Sequence, residues 1–493
     1  MATTGIDASS GRFADGEFVA PPEPQTSAFQ VEQHGIDMIP DSERHGRPRD
    51  LAWIWFGANV IFTYVIIGAL VVGLGLTFWP AVSVAVIGNL VAVLVGICAI
   101  PGPRAGTATL VVSRSVFGTR GNAPAAAFSW LTAVGWEAVN IVIGALSLYE
   151  IFKTTGLGAG TGMKALALVV VVVLTFGVAV LGLATITVLN KIFSYLLGIG
   201  TIGLGIFVLP QTQFDATPSA GSSTSLGVIL LAFAIVMAAP FSWVNVASDY
   251  SRYLPRTTSG SRVALWTTLG CAVPAIVITI IGISAASATD MQDPVAGLQA
   301  LLPSWFFTTY LAIIVGGTIT NNFLNSYSSG MSLLAIGLPF KRWQAVLIDA
   351  VLGTSAAAYA LFVFDFSESF TGFLSLMVAW IGPWCGIFTA DMLLRRGKYD
   401  IHALHHRGEG TYWYRAGFNP IGLGWFLAGI IGALLFANSA VFIGPFTAMV
   451  DGGDLSLVIG FLIAFVGYYV SARTRVRRQT AELLPAPTVH KVG

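Results

Sequence analysis

The stretch TITNNFLNSYSSG, residues 318–330, lies between LAIIVGG (311–317) and MSLLAIG (331–337). Its flanks have the make-up of a membrane-spanning helix, yet the stretch itself carries three amides and several hydroxyls. In hydrocarbon a polar side chain without a partner is costly, so the run raises the question of what those groups face, and the rest of the chain bears on the answer.

The chain has 493 residues, 55% of them hydrophobic and 10% charged, with a mean hydropathy of +0.77. A soluble globule carries about 25% charged residues. Fifty-five glycines fit close packing of membrane helices. A net charge of +1 gives no basic surface for nucleic acid. The three cysteines, Cys98, Cys271 and Cys385, are separated in sequence and lie in apolar runs, so they read as buried free thiols. The first fifty residues are polar and contain no apolar signal-peptide segment.

A spanning helix needs about 20 mostly apolar residues. Twelve segments meet that need: 51–77, 81–100, 124–152, 163–182, 192–209, 226–249, 263–286, 306–336, 345–362, 370–394, 420–440 and 455–470. Basic residues mark the cytoplasmic side. Of the 25 Lys and Arg, all but Lys153 and Lys164 fall in the two tails or in the even-numbered connections. Both termini are therefore expected in the cytoplasm. The tails, 1–50 and 473–493, are rich in Pro, Ser and charge and read as mostly disordered.

Two spans carry helix-breaking signals at matching positions, if spans 1–5 and 6–10 are repeats. The first reads WIWFGANVIFTYV (53–65), with Gly57 and Asn59. The sixth reads VMAAPFSWVNVASDY (236–250), where Pro240 precedes Ser242 and Asn245. Proline removes a backbone donor and clashes with the preceding turn. Alone, Gly57 reads as a packing contact and Pro240 as an ordinary kink; as a matched pair they point to unwound segments lining a cavity, as in transporters with inverted repeats. The third span reads VGWEAVNIVIGAL (134–146). Trp136 and Asn140 share a face one turn apart, which suits a flat ring stacked on the indole and bonded at its edge. The same pair also suits a core tryptophan beside an interhelical amide bond.

These residues resemble the nucleobase–cation symporters, the family of cytosine and purine permeases and the sodium–hydantoin transporter. The resemblance rests on SRSVFGTRG (113–121), WEAVN (136–140), SWVNVASDYSRYLP (242–255), GPWCGIFTADMLLRR (382–396) and GTYWYRAGFNP (410–420). It implies an all-α integral membrane protein of LeuT-like fold: inverted five-helix repeats over 51–209 and 226–394, then two C-terminal helices in 420–470. It implies that Trp136 and Trp243 sandwich a ring, that Asn140 and Asn325 bond its edge, and that Ser242 offers backbone or hydroxyl. Asn321 and Asn322 then serve neighbouring helices. It implies a sodium site from the carbonyls of Gly57, Val60 and Gly316 and the Thr320 hydroxyl. Ile319 stands where the family pattern has a second hydroxyl, so Thr318, a water or a proton in place of sodium becomes an alternative.

Glu137 sits mid-span beside Trp136. A charge there costs about 2.5–3.5 kcal/mol on insertion scales. Three roles are open to it: binding cargo N–H groups, carrying a coupling proton, or pairing with another helix. Asp249 reads as a helix-end ion pair with Arg252, Asp391 as an i,i+4 pair with Arg395, and Asp349 has no partner evident in the sequence. His402, His405 and His406 read as a solvated cluster. No HExxH, GxSxG or phosphate-binding loop is present, so an enzyme is not expected. The expected function is import of a nucleobase-like heterocycle, cytosine or purine, across the plasma membrane by Na+ or H+ symport, with no other cofactor. The alternatives are another heterocycle (hydantoin, allantoin or a vitamin ring) or a channel.

Overall fold

The computed structural model describes residues 12–14, 17–19, 36–179, 183–218, 221, 224–337, 342–364, 366–406, 408–439 and 441–483. Helices dominate it. A short antiparallel strand pair, Arg12–Ala14 with Glu17–Val19, lies in the N-terminal tail.

The spans are numbered in chain order. Span 1 is two helices, Asp50–Asn59 and Thr63–Gly73, bent by 56°. Span 2 runs over Phe78–Ala105, span 3 over Ala123–Thr154, span 4 over Thr161–Ala179 and span 5 over Leu183–Val208. Span 6 is Leu226–Phe241 followed by the short turns Val244–Val246 and Ala247–Ser251. Spans 7 to 12 are Gly260–Ala288, Ser304–Ile336, Arg342–Phe362, Phe366–Arg395, Pro420–Leu435 and Ser456–Glu482. By length and composition eight of these helices suffice to cross a membrane, or nine with the bent pair. Spans 4 and 11 are shorter, and the polar run lowers the hydropathy of span 8.

The two breaks fall where the sequence places them. Span 1 opens over Val60–Phe62. In span 6 the regular helix stops one residue after Pro240. On the outer surface Ile199, Ile202 and Ile206 of span 5 are 63–68% exposed. They recur at helical spacing, which makes an apolar stripe suited to lipid. Span 1 packs on span 7 through a glycine pair. A Cβ on Gly68 would lie 2.3 Å from the Thr279 carbonyl, and one on Gly282 would lie 2.3 Å from that of Val65.

Spans 3 and 8 run side by side, and spans 4 and 9 pack on span 3 as well. At one end of the bundle a buried network ties the remaining elements together. Arg395 donates to Asp391 at 2.7 Å. Ser115 and Tyr468 donate to the same carboxylate at 2.8 and 2.9 Å. Arg395 also reaches Gln479 at 3.0 Å, and Arg475 reaches Asn419 at 2.7 Å. The segments 113–121, 382–396 and 410–420, far apart in sequence, thus meet in space.

Several expectations change. The end of the N-terminal tail is packed rather than loose: Ile39 is buried, its N–H bonds the Gly106 carbonyl, and Arg44 bonds the Pro103 carbonyl. Span 12 continues helically to Glu482, so Arg473–Arg478 lie on a helix instead of in a tail. Residues 484–493 and most of 1–35 lie outside the described residues. Span 5 starts at Leu183, nine residues before the expected start. The buried thiols of Cys98 and Cys385 come within 3.8 Å of each other as free cysteines.

Candidate functional site

The polar run of span 8 is buried throughout, and its partners explain its presence. Asn321 is the hub. Its Nδ2 donates to the Ala58 carbonyl in the last turn before the break of span 1 at 3.0 Å. Its Oδ1 accepts from Asn140 at 3.0 Å and from Asn325 at 3.4 Å. Asn322 donates to the Glu137 carbonyl at 3.1 Å. The expectation for Asn322, service to a neighbouring helix, agrees with its position. Asn321 does more than expected: it ties span 1, span 3 and Asn325 at one point. The spacing of four between Asn321 and Asn325 is the signal that places both on one face.

Trp136 and Asn140 lie on the buried side of span 3. The Trp136 ring meets Phe373 edge-on at 5.4 Å and Phe370 at 6.2 Å. Gly135 permits this approach, since a Cβ there would sit 2.2 Å from the Phe373 ring. Asn140 Nδ2 also donates to the Trp136 carbonyl at 3.0 Å. Among the described residues, Trp136 Nε1 and Asn140 Oδ1 are two of several buried polar side-chain atoms without a partner. A buried acceptor left unpaired is disfavoured by about 1–3 kcal/mol, so Asn140 Oδ1, one turn from the Trp136 ring, is free to take a ligand N–H.

Trp243 follows the break of span 6. Its ring is edge-on to Trp55 at 5.6 Å, and Trp55 in turn meets Tyr250 at 5.2 Å. Among the described aromatic pairs, Trp136 and Trp243 do not touch each other. Ser242 is buried and donates its hydroxyl to the Ala239 carbonyl at 2.6 Å. Asn245 donates to Ser129, which bonds Ser332 at 2.9 Å, joining spans 6, 3 and 8.

Gly57 and Val60 flank the Ala58 carbonyl at the break. Among the described residues no backbone N–H reaches the carbonyl of either, and both residues are buried. Thr320, next to Asn321, donates its hydroxyl to the Gly316 and Gly317 carbonyls at 3.1 and 3.0 Å. Its oxygen keeps lone pairs for a cation. Freed carbonyls plus a hydroxyl are the kind of donor set a hard cation takes, so the residues fit such an ion. Thr318 turns elsewhere: it donates to Val315 at 2.9 Å, and a Cβ on Gly144 of span 3 would meet its Oγ1 at 2.7 Å.

Glu137 is fully buried, with Oε1 accepting from Ser326 at 2.7 Å. Its carboxyl has different neighbours from Asn140. Asp349 gains the partners the sequence did not show, Trp130 at 2.7 Å and Ser329 at 2.6 Å. Asp249 is held by the Thr109 N–H and hydroxyl, both at 2.8 Å, while Arg252 reaches the hydroxyls of Tyr253 and Tyr327. His405 is partly buried, and that burial together with Arg114 holds its imidazole below the ordinary range. A cleft of about 760 Å³ lies between the ends of spans 1 and 7 and the segment before span 6. It is not lined by Trp136, Asn140, Trp243 or Asn325.

Residues 38–460 match the sequence profile described as permease for cytosine/purines, uracil, thiamine, allantoin. The chain belongs to this permease family. Family membership and the apolar helices make it a multi-pass membrane protein. It is similar to the putative purine-cytosine permease YxlA of Bacillus subtilis, 27% identical over 92% of this chain and 98% of the relative. It is also similar to the vitamin B6 transporter TPN1 of Saccharomyces cerevisiae, 24% identical over 76% of this chain and 67% of the relative. Among solved structures, Mhp1, a nucleobase-cation-symport-1 family transporter with bromovinylhydantoin bound, superposes with a TM-score of 0.72 at 20% identity, over 92% of this chain and 96% of that one. The permease of this chain thus has the LeuT-like fold of Mhp1.

Proposed function

We propose that this permease is a secondary active transporter that imports a nucleobase-like planar heterocycle, cytosine or a purine, by cation symport. The observation that carries the cargo reading is the buried, unpartnered Asn140 Oδ1 one turn from the Trp136 ring. A nucleobase stacked on that indole presents an N–H at its edge, the complement of that acceptor. Trp136 and Trp243 supply the aromatic faces, Asn140 and Asn325 the edge contacts, and Ser242 a hydroxyl or backbone group at the break. The family and the purine-cytosine permeases among its relatives support the same cargo class.

For the cation we propose sodium, held by the carbonyls of Gly57, Val60 and Gly316 and by the Thr320 hydroxyl. Bound there, a sodium ion would supply positive charge to the break of span 1. Asn321 bonds the turn before that break and Asn140 at once, so order at the break and order at the cargo site are joined through one amide. We further propose that residues 51–209 and 226–394 are the inverted repeats, with both termini in the cytoplasm and the protein in the plasma membrane. The polar residues cluster at mid-span and do not extend as a continuous lining, which favours alternating access over a channel.

Uptake of radiolabelled cytosine tests the reading, in cells lacking their own permease. Hypoxanthine, a hydantoin, allantoin and pyridoxine serve as competitors, with and without sodium and with a protonophore. Saturable cytosine or purine uptake is expected. Uptake of pyridoxine or a hydantoin alone would replace the cargo, and uptake of no heterocycle would overturn the proposal.

A further inference from the structure

Two acids that no ion pair explains lie together where spans 8 and 9 pack on span 3, with Glu137 about 60° around the helix from Asn140. Glu137 and Asp349 are both 0% exposed. Span 8 joins them: Ser326 donates to Glu137 at 2.7 Å, and Ser329, three residues on, donates to Asp349 at 2.6 Å. Three residues are about 4.5 Å along a helix axis, so the carboxyls sit roughly one turn apart. Span 9 closes the same seam. Gly353, one turn beyond Asp349, faces Glu137, and a Cβ there would lie 3.6 Å from Oε2.

The surroundings offer no compensating charge. Span 8 presents hydroxyls and the Asn322 amide, span 3 presents the Trp130 indole, and span 4 presents the Phe176 ring beside Gly353. Among the described residues, no Lys, Arg or His pairs with either carboxyl. Two ionised carboxylates this close, both out of water and without a cation, repel each other and lose their hydration; such pairs hold a proton instead. The hydrogen bonds assign it. Asp349 has a donor on each oxygen, Trp130 on Oδ1 and Ser329 on Oδ2, as an ionised carboxylate requires. Glu137 has a donor on Oε1 only, and its Oε2 has no partner.

We propose that Glu137 and Asp349 form a proton-binding site between spans 3, 8 and 9, separate from the oxygen site at the break of span 1, with the proton on Glu137 and the negative charge on Asp349. Binding is a simple protonation: a carboxylate oxygen of Glu137 takes a proton from solvent and returns it on deprotonation. Glu137 lies between Trp136 and Asn140 in sequence, and its own carbonyl takes the Asn322 bond. A negative charge appearing there disturbs the packing of span 3 on span 8. Cargo affinity is thereby linked to pH, a link that rests on the nucleobase reading above, while the proton site itself does not.

Infrared spectroscopy of the purified protein in lipid vesicles tests the site without any cargo. A carbonyl stretch of a protonated carboxylic acid is expected at neutral pH, lost in Glu137→Gln. In the wild-type protein, isotope labelling of glutamate carboxyl carbons is expected to move that band and labelling of aspartate to leave it in place, an arm that needs no variant to fold. Absence of the band, its persistence in Glu137→Gln, or its displacement by aspartate labelling would each overturn the proposal. Cytosine binding as a function of pH is the second arm. A pH response in the wild type that Glu137→Gln abolishes is expected, and an unchanged response in the variant would overturn the link. Protein that shows the band and binds no cytosine would keep the proton site and refute the cargo reading alone.

Discussion

The Asn321 amide of span 8 donates to the Ala58 carbonyl at 3.0 Å, so a side chain in the polar run holds the last helical turn before the break of span 1. The same residue accepts from Asn140 at 3.0 Å. Asn321→Ala removes both bonds and leaves a buried carbonyl unpaired, at a cost of about 1–3 kcal/mol. Cytosine affinity is expected to fall about 5- to 150-fold and the sodium response to weaken in parallel. Titrations of cytosine at several sodium concentrations check this. Loss of one response with full retention of the other would show that Asn321 does not join the two sites.

Trp136→Ala and Trp243→Ala should each weaken cargo binding while the protein still reaches the membrane. Stacking of a base on an aromatic face is worth about 1–3 kcal/mol. Trp136→Phe should keep a larger share of the affinity than Trp136→Ala, because it retains a ring but not Nε1–H. Equilibrium binding on purified protein, beside a melting curve, separates lost contact from lost fold. Wild-type affinity in both alanine variants would make these tryptophans core residues.

Position 319 offers a gain-of-function test of the cation site. Ile319 is buried beside Thr320 and supplies no oxygen. Ile319→Ser adds a hydroxyl ligand, and hard cations bind more tightly as oxygen ligands accumulate. The concentration of sodium that half-saturates cytosine binding should fall in Ile319→Ser and rise sharply in Thr320→Ala. By linkage, cytosine should tighten sodium binding by the factor with which sodium tightens cytosine. A wild-type protein whose binding ignores sodium would remove sodium from the proposal.

Both termini are expected in the cytoplasm. Single cysteine tags placed at either end, in a background with Cys98, Cys271 and Cys385 replaced by alanine, should resist an impermeant maleimide applied to intact cells and react after permeabilisation. Reaction of either tag in intact cells would contradict the orientation.

The sequence by itself determined the helical class and the broken first and sixth spans, because the features that make them are local. A run of about twenty apolar residues and a proline after Ala239 are each read within one segment. That Trp136 and Asn140 share one helix face was legible for the same reason, since their spacing is four. The partners of those residues were not legible. Asn321 as the link to Ala58, Asp349 against Trp130 and Ser329, the meeting of Cys98 with Cys385, and the anchoring of Ile39 and Arg44 all join segments tens to hundreds of residues apart. Within membrane helices a polar side chain must find a partner, but its own sequence neighbourhood does not say on which helix. Only the packing of spans 1, 3, 8 and 9 against one another decides which amide meets which carbonyl, and which two acids share a seam with no cation between them.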